Sequence, residues 1–287
     1  MKKLIVDNKF NNKKVSSFFM STFSNVPISV FYKLLRKKDI RVNGKKISED
    51  IIIHSGDEVQ FFLPDFSKNV PTVYEDDNIL VVNKPAGIEV TDSSNSLTKL
   101  LESNYTFIKP CHRLDRNTSG LVVFAKNEIS LNILLDSFKN HKIEKNYVCI
   151  VIGKLPKLQD NLNAFLFKDS KKSLVYISDI SRKGYLSITT NYKVLQYSVK
   201  RNLSLLDVQI PTGRTHQIRA HFSHIGHPIL GDGKYGINEI NKKFKLKMQT
   251  LHAYKLKFNF GNNNSLGYLN GKEIEIPFPK YFETFFV

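Results

Sequence analysis

The chain has 287 residues, of which 41% are apolar and 21 are phenylalanine; this suffices for one or two folded domains and excludes a disordered polymer. Its 43 lysine and arginine residues exceed its 26 acidic residues by 17, which indicates a polyanionic partner such as nucleic acid. Two cysteines and the lack of a bilayer-length apolar run argue against a secreted disulfide scaffold and a membrane protein, so we expect a cytoplasmic location.

A segment rich in proline and polar residues divides the chain. Residues 64–72 begin at Pro64, contain Pro71 and interrupt the apolar periodicity on both sides, which is typical of a linker. We therefore predict a small domain over residues 1–63 and a larger domain over residues 73–287.

The small domain contains an amphipathic helical pattern. Four apolar residues recur at helical spacing: Ile28, Phe31, Leu34 and Leu35. Basic residues lie between and just after them: Lys33, Arg36, Lys37, Lys38 and Arg41. One helix face is thus predicted to pack, while another presents cations that could follow a phosphate backbone. The alternative is an ordinary solvated lysine face.

The larger domain has mainly the pattern of strands. Six segments have strand-like composition: residues 79–82, 121–125, 147–152, 186–195, 204–210 and 250–260. Two helices are also predicted. One runs from a cap at Asn127 to about His141, and the other covers residues 215–225 and is terminated by Gly226 and Pro228.

The first candidate site lies just before the strand predicted at residue 121. Residues 112–120, His-Arg-Leu-Asp-Arg-Asn-Thr-Ser-Gly, place the carboxylate of Asp115 between Arg113 and Arg116 in a polar loop. Nearby cations keep an aspartate ionised even when it is partly desolvated, and a nucleophile or general base requires that form. The segment alone is equally compatible with a surface arginine–aspartate pair in a turn.

The second candidate site runs from a strand through a turn into a helix. It comprises residues 211–221, Pro-Thr-Gly-Arg-Thr-His-Gln-Ile-Arg-Ala-His. Arg219 is predicted to point toward a neighbouring loop, and the first helical amides beside Arg214 could bind phosphate. His216 and Gln217 belong to the same predicted substrate-binding surface. A helix cap with ordinary surface arginines is the alternative.

Four histidines within twelve positions raise the question of a zinc site: His216, His221, His224 and His227. Two of the four share a helix face, and no cysteine or acidic residue lies among them. Asp232, in a Gly-Asp-Gly sequence, is better suited to a turn. We expect no metal and no other cofactor, and a histidine-ligated metalloenzyme is a rival hypothesis.

Several segments together resemble the ordered motifs of RluA-type RNA pseudouridine synthases. They are residues 79–87, 112–120, 145–147, 212–221, 226–232 and 251–256. Residues 14–63 resemble an S4 RNA-binding domain, in the arrangement of the RluC and RluD branch. The resemblance implies an α+β protein with a small S4-like RNA-binding domain. The catalytic domain that follows is expected to have a mixed, mainly antiparallel sheet.

The resemblance implies isomerisation of uridine to pseudouridine without a cofactor. The glycosidic bond is cleaved, the uracil turns, and its carbon 5 is joined to the ribose. By motif position, Asp115 carries catalysis, Arg219 is its basic partner and Tyr147 lies beside the uracil. Whether Asp115 attacks the ribose carbon or abstracts a ribose proton stays open. A free tyrosine has a pKa of about 10, so stacking suits Tyr147 better than proton abstraction.

The resemblance also implies substrate contacts. Arg113 corresponds to the residue that fills the place of the extruded base, a role that suits a planar cation. Leu256 is predicted to floor the pocket, with plain core packing as its alternative. Contact with RNA is further predicted for four cations of the small domain: Lys33, Arg36, Lys37 and Arg41.

Large-subunit ribosomal RNA is the expected substrate, because the resemblance is to the branch that carries an S4 domain. We expect the enzyme to be a monomer without a membrane partner. The alternatives are the same chemistry on transfer RNA, or a non-catalytic RNA-binding or ribosome-assembly protein, which would need the basic patches but not Asp115.

Overall fold

The computed structural model describes residues 2–23, 28–62, 70–91, 93, 96–261 and 264–287. The chain divides into a small unit and a large unit: Met1–Asn69 with Asp92–Leu100, and Val70–Thr91 with Leu101–Val287. Residues 64–69 of the predicted linker lie outside the described residues. Thr72, the last residue of that predicted linker, already begins a strand of the large unit.

The small unit is built around a four-stranded antiparallel sheet and two helices. The strands are β1 (Lys2–Ile5), β2 (Lys13–Lys14), β3 (Ile40–Val42), β4 (Lys45–Lys46), β5 (Ile52–Ile53) and β6 (Glu58–Phe61), and the helices are α1 (Val15–Thr22) and α2 (Ile28–Lys37). The sheet order is β1-β6-β3-β4, and β2 pairs separately with β5. Helix α2 confirms the helix that the apolar spacing predicts.

Aromatic side chains form the core of the small unit. The ring of Phe19 lies 5.3 Å from that of Phe31 and 5.2 Å from that of Phe61, measured between centroids, and all three are fully buried. Leu34 packs into the same core, as its spacing predicts. Ile28 differs, because it is 37% exposed at the first residue of α2. The buried face of this helix therefore includes Phe31 but not its first residue.

The large unit contains a mixed sheet of eleven strands. They are β7 (Thr72–Glu75), β8 (Ile79–Lys84), β9 (Lys109–Pro110), β10 (Ser119–Ala125), β11 (Ile143–Ile152), β12 (Gln159–Asp169), β13 (Leu174–Ser178), β14 (Leu186–Ser198), β15 (Leu203–Gln209), β16 (Leu251–Phe258) and β17 (Glu273–Glu275). The order is β13-β12-β14-β15-β11-β16-β10-β8-β7, with β9 beside β10 and β17 beside β16. Among the described strands, only β10 and β16 pair in parallel, which confirms a mixed, mainly antiparallel sheet.

Helices are fewer than strands in the described part of the chain. Besides α1 and α2 they are α3 (Leu97–Leu101), α4 (Glu128–Lys139), α5 (Gln217–His224) and α6 (Asn238–Lys243), and 3₁₀ helices occur at Asn8–Phe10, Gly267–Leu269 and Lys280–Phe285. The Asn127 side chain caps α4, as predicted, by accepting a hydrogen bond from the backbone of Ser130 at 2.9 Å. Within the described ranges, no helix is both long and apolar enough to cross a bilayer.

Helix α5 is shorter than the predicted residues 215–225. His216 has a left-handed backbone with φ 52°, which a helix does not tolerate, so Thr215 and His216 belong to the preceding loop. At the other end Gly226 adopts φ 83°, the conformation that commonly ends a helix. The loop residues before α5 are therefore placed by backbone geometry that the sequence pattern does not reveal.

The parallel pairing of β10 with β16 fixes the loop that carries Asp115. Gly120, near the start of β10, has φ +115°, and a Cβ atom there would lie 2.1 Å from the carbonyl oxygen of Ala253. Only glycine permits this approach. The side chain of Gln249 donates to Thr118 Oγ1 at 2.7 Å in the same region. The end of the Asp115 loop is thus anchored to a strand far along the chain.

Candidate active site

A cavity of about 560 Å³ lies in the large unit among the Asp115 loop, β11 and the start of α5. Seven residues predicted for the site line it: Arg113, Asp115, Tyr147, Arg214, His216, Gln217 and Arg219. Other lining residues have no predicted role, and they include His112, Phe138, Lys139, Lys145 and Leu251. Segments that are distant in sequence therefore converge on one cavity.

A chain of charges connects Asp115, Arg219 and Asp232. Arg219 Nη1 donates to Asp115 Oδ2 at 2.8 Å. The other edge of the same guanidinium donates to Asp232, from Nε to Oδ2 at 2.7 Å and from Nη2 to Oδ1 at 3.0 Å. Because Asp232 also accepts backbone hydrogen bonds from Lys234 and Tyr235, its carboxylate holds the guanidinium in a fixed plane.

Arg219 stays charged although it is buried. Arg219 is 7% exposed and Asp232 is completely buried. Burial opposes the charge of Arg219, but its hydrogen bonds and attraction to the two carboxylates raise its pKa above the usual value. Burial likewise opposes the charge of Asp232, and the hydrogen bonds from Arg219 lower the pKa of that carboxyl overall. The pair therefore presents a stable cation to Asp115.

Asp115 has one oxygen held and one oxygen open. Arg219 binds its Oδ2, and the side chain is 25% exposed toward the cavity. Its Oδ1 accepts no hydrogen bond from the residues that the structure describes. A carboxylate oriented through one oxygen can act through the other as a nucleophile or as a general base.

Tyr147 lines the cavity from β11. It is 7% exposed, and burial together with the charge of Asp115 raises the pKa of its phenol well above the usual value. The phenol is therefore neutral at physiological pH. Its ring offers a flat apolar surface against which a base can pack.

Lys145 precedes Tyr147 by two residues on β11, so both side chains lie on the same face of the strand. Lys145 is 7% exposed, burial lowers its pKa, and its Nζ lies 5.9 Å from the centre of the Phe138 ring. Its ammonium forms neither a hydrogen bond nor a salt bridge with any residue in the described part of the chain.

Gln217 and His216 have partners inside the protein. Gln217 is 2% exposed, and it donates to the carbonyl of Thr189 at 2.9 Å and accepts from the backbone of Arg214 at 3.1 Å. His216 Nδ1 lies 2.8 Å from the hydroxyl of Tyr235. These contacts order the loop that precedes α5. Substrate contact by either residue stays a prediction.

Leu256 is not brought to the cavity. It is 1% exposed within the hydrophobic core, and it does not line the cavity. Phe258 packs in the same core, but a bulge at Tyr254 interrupts the expected alternation between Tyr254 and Leu256. Leu251, from the same strand, lines the cavity instead. The position of Leu256 therefore agrees with the alternative of plain core packing. Two other predicted contacts, the exposed Arg113 and Arg214, do line the cavity.

The clustered histidines do not converge on a point. Each contacts a different group: His216 contacts Tyr235, His221 contacts Thr190, His224 contacts Asp179, and His227 contacts the carbonyl of Ile152. Among the residues with described positions, no three histidine, cysteine, aspartate or glutamate side chains are arranged to hold a metal ion.

Asp232 is a site residue that sequence reasoning missed. The Gly-Asp-Gly pattern indicates a turn, and Asp232 does accept the backbone hydrogen bonds of that turn. It also pairs with Arg219, which the turn pattern does not reveal. An indirect signal was available, because an arginine that orients a carboxylate inside a protein needs a second acceptor for its remaining donors.

Lys84 is a second buried charged residue for which the sequence predicted no role. It is completely buried at the end of β8, and its Nζ donates to the carbonyls of Pro85, Ile88 and Arg116 at 3.1, 2.8 and 3.1 Å. Burial lowers the pKa of Lys84 to about 8, while the charge of Asp115 acts in the opposite direction. Lys84 thus joins the turn after β8 to the Asp115 loop.

Comparison with known proteins agrees with this geometry. Residues 78–224 match the family model described as RNA pseudouridylate synthase. The chain is similar to the ribosomal large subunit pseudouridine synthase C of Buchnera aphidicola subsp. Acyrthosiphon pisum, with 30% identity covering 98% of this chain and 96% of that protein. It is also similar to the protein of the same name from Rickettsia bellii, with 37% identity covering 88% and 90%.

A solved structure has a similar fold. It is that of human RNA Pseudouridylate Synthase Domain Containing 1, with a TM-score of 0.62 and 24% identity, covering 75% of this chain and 86% of that one. The family match includes the Asp115 loop, β11 and α5, which are the segments that build the cavity. The chain therefore belongs to the RNA pseudouridylate synthase family and is an isomerase of uridine in RNA.

Proposed function

We propose that this enzyme converts uridine to pseudouridine in large-subunit ribosomal RNA, with Asp115 as its catalytic carboxylate. The RNA class is supported by the names of its relatives, which are ribosomal large subunit pseudouridine synthases. The catalytic assignment rests on one observation, namely that Arg219 holds one oxygen of Asp115 in the cavity and leaves the other open. A cytoplasmic monomer is part of this proposal, and its two cysteines are free and buried.

The reaction requires the target nucleotide to leave its stack. The carboxylate of Asp115 is recessed in the cavity, and a stacked ribose cannot reach it, so the uridine is extruded at a cost of a few kcal/mol. Arg113 is exposed at the cavity and is proposed to occupy the vacated space. Arg214 is proposed to bind a neighbouring phosphate. Inside the cavity, the uracil packs against Tyr147 while its ribose carbon faces the open oxygen of Asp115.

The proposed S4-like domain, residues 1–63, supplies affinity rather than chemistry. Lys33, Arg36 and Lys37 are exposed on one side of α2, while Phe31 and Leu34 pack into the core. This arrangement suits contact with a phosphate backbone. Arg41 differs from these three. It is half-buried on β3 with its guanidinium 5.1 Å from the centre of the Phe62 ring, so it combines packing with its proposed RNA contact. The proposed catalytic domain is residues 73–287.

Pseudouridine mapping of total RNA from a deletion strain tests the substrate. The expected result is the loss of one or more pseudouridines from large-subunit ribosomal RNA and their return with the wild-type gene but not with Asp115→Asn. Losses confined to transfer RNA would move the proposal to that substrate. An unchanged map would support a non-catalytic role instead.

A further inference from the structure

Lys145 is a buried cation that the reaction sequence above does not use. It lines the cavity, and no acceptor among the described residues binds its ammonium. Burying an unpaired charge costs free energy, which a negatively charged ligand can offset. The position of Lys145 therefore identifies a place in the cavity where negative charge is favourable.

Lys145 and Asp115 line the cavity from different elements, Lys145 from β11 and Asp115 from the loop before β10. The charge of Asp115 raises the pKa of Tyr147 and acts on His216, whereas burial alone accounts for the lowered pKa of Lys145. Tyr147 follows Lys145 by two residues on the same strand face, a separation of roughly 7 Å. A uracil that packs on Tyr147 with its ribose toward Asp115 can therefore turn its carbonyl edge toward Lys145.

We propose that Lys145 is a catalytic residue that donates a hydrogen bond to a carbonyl oxygen of the target uracil and stabilises the negative charge of the departing base. When the bond between ribose C1′ and N1 breaks, its electron pair leaves with the base and is shared by N1 and the two carbonyl oxygens. After C5 bonds to C1′, the C5 proton passes to the open oxygen of Asp115 or to water, and N1 takes up one proton, so that the uracil ring is restored with no net loss of a proton. Lys145 keeps its own proton throughout. A fixed cation has its largest effect in a site that excludes water.

The buried position favours the base over a phosphate as the partner of Lys145. Phosphates of an RNA chain are accompanied by water and counterions, and the exposed cations that line this cavity suit them better: Arg113, Lys139 and Arg214. Lys145, by contrast, is 7% exposed on the strand that carries Tyr147. This inference rests on the proposed roles of Tyr147 and Asp115.

The first test compares Lys145→Met with Lys145→Arg and with Lys168→Met, a matched change of an exposed lysine on β12 that does not line the cavity. The measurement is the single-turnover rate at saturating concentration of an RNA fragment that the wild-type enzyme modifies. We expect Lys145→Met to lower this rate by about 100-fold, as for loss of one donor to a developing anion. Lys145→Arg should restore most of it, and Lys168→Met should retain the wild-type rate. A wild-type rate for Lys145→Met would overturn the proposal.

The second test separates the base from the phosphates. An RNA fragment with an abasic residue at the target position keeps every phosphate but lacks the uracil. Wild type and Lys145→Met should bind this RNA equally, and weaker binding by the variant would assign Lys145 to a phosphate and overturn the proposal. Lys145→Met should also unfold at the same or a higher temperature, because it removes an unpaired buried charge. A structural role would lower the unfolding temperature and the rate together.

Both tests use whichever RNA the pseudouridine map identifies. A different substrate would contradict the proposal of ribosomal RNA without affecting the role of Lys145. Conversely, a correct substrate with an unaffected Lys145→Met variant would contradict only this inference.

Discussion

Positive charge is arranged differently in the two units. On α2 of the small unit, Lys33, Arg36 and Lys37 are exposed and can attract phosphate over about 10 Å at moderate salt, whatever the RNA sequence. In the large unit, Arg219 is buried and fixes one carboxylate oxygen through directed hydrogen bonds. Net charge therefore indicates the class of partner, whereas the pairing and burial of individual charges indicate the proposed site of the chemistry.

The largest expected effect comes from the carboxylate that Arg219 orients. Asp115→Asn keeps the size of the side chain but removes its charge, so turnover should fall by about 10³-fold or more. RNA affinity should stay within a few-fold, because binding depends on other groups. Pseudouridine formation on the enzyme's own RNA and equilibrium binding measure the two effects separately. Substantial turnover by the variant would remove Asp115 from the mechanism.

A smaller effect is expected when the guanidinium geometry is lost but the charge is kept. Arg219→Lys cannot bind Asp232 and Asp115 together in the same plane, so turnover should fall by about 10²-fold. Combining it with Asp115→Asn should add little further loss, since both changes act on one unit. Arg214→Lys, at an exposed position, is the matched control and should retain most activity. Additive losses would show that Arg219 acts independently of Asp115.

Acid should destabilise the large unit through its buried histidines. Burial lowers the pKa of both His221 and His252 to about 4, whereas the unfolded chain has a value near 6.5. The unfolded state therefore binds more protons between these values, and stability falls as the pH drops from about 6.5 to about 4. The largest slope for each histidine is about 1.4 kcal/mol per pH unit.

Amide hydrogen exchange in β10 and β16 at pH 7 and pH 5, corrected for the intrinsic rates, measures this loss. His252→Gln should reduce the slope of stability against pH by the contribution of one histidine, which is at most about 1.4 kcal/mol per pH unit. His54→Gln changes an exposed histidine of the small unit and is the control. An unchanged pH dependence in His252→Gln would contradict the assignment.

The smallest expected effect on turnover comes from the exposed cations of α2. Replacing Lys33, Arg36 and Lys37 with alanine removes up to three phosphate contacts, so the slope of log affinity against log salt should become shallower by roughly 2. Turnover at saturating RNA should barely change. Affinity measured across salt concentrations for wild type and triple variant decides the matter. Coincident lines would mean that these side chains are merely solvated and would leave the role of Asp115 untouched.

The six predicted strands could be recognised because they depend on local composition, whereas the meeting of the two motifs was implied only by the resemblance to a family. Asp115 and Arg219 meet at 2.8 Å, as the motif resemblance implies, and α4 begins at its predicted cap. The position of Leu256 could not be predicted reliably: it pairs with Lys145, which lines the cavity, yet other side chains cover Leu256, and a strand pattern does not show which residues of a face are covered.

Long-range pairing explains what sequence reasoning missed. The role of Asp232 depends on a partner thirteen residues away and on burial, neither of which a turn pattern contains. The lack of an acceptor for Lys145 among the described residues likewise cannot be predicted from the sequence, since it depends on how the surrounding strands and helices pack. These residues are recognised only when the neighbours of each buried charge are known.

Because Gly120 packs closely against Ala253, the Asp115 loop is anchored only after both segments have been translated. The Asp115 loop is translated early, yet the strand that anchors it is complete only at Phe258. Contacts between such distant segments form late and are slow. A nascent chain that still lacks β16 therefore has Asp115 but no fixed position for it. The proposed site can thus be complete only after β16 has left the ribosome.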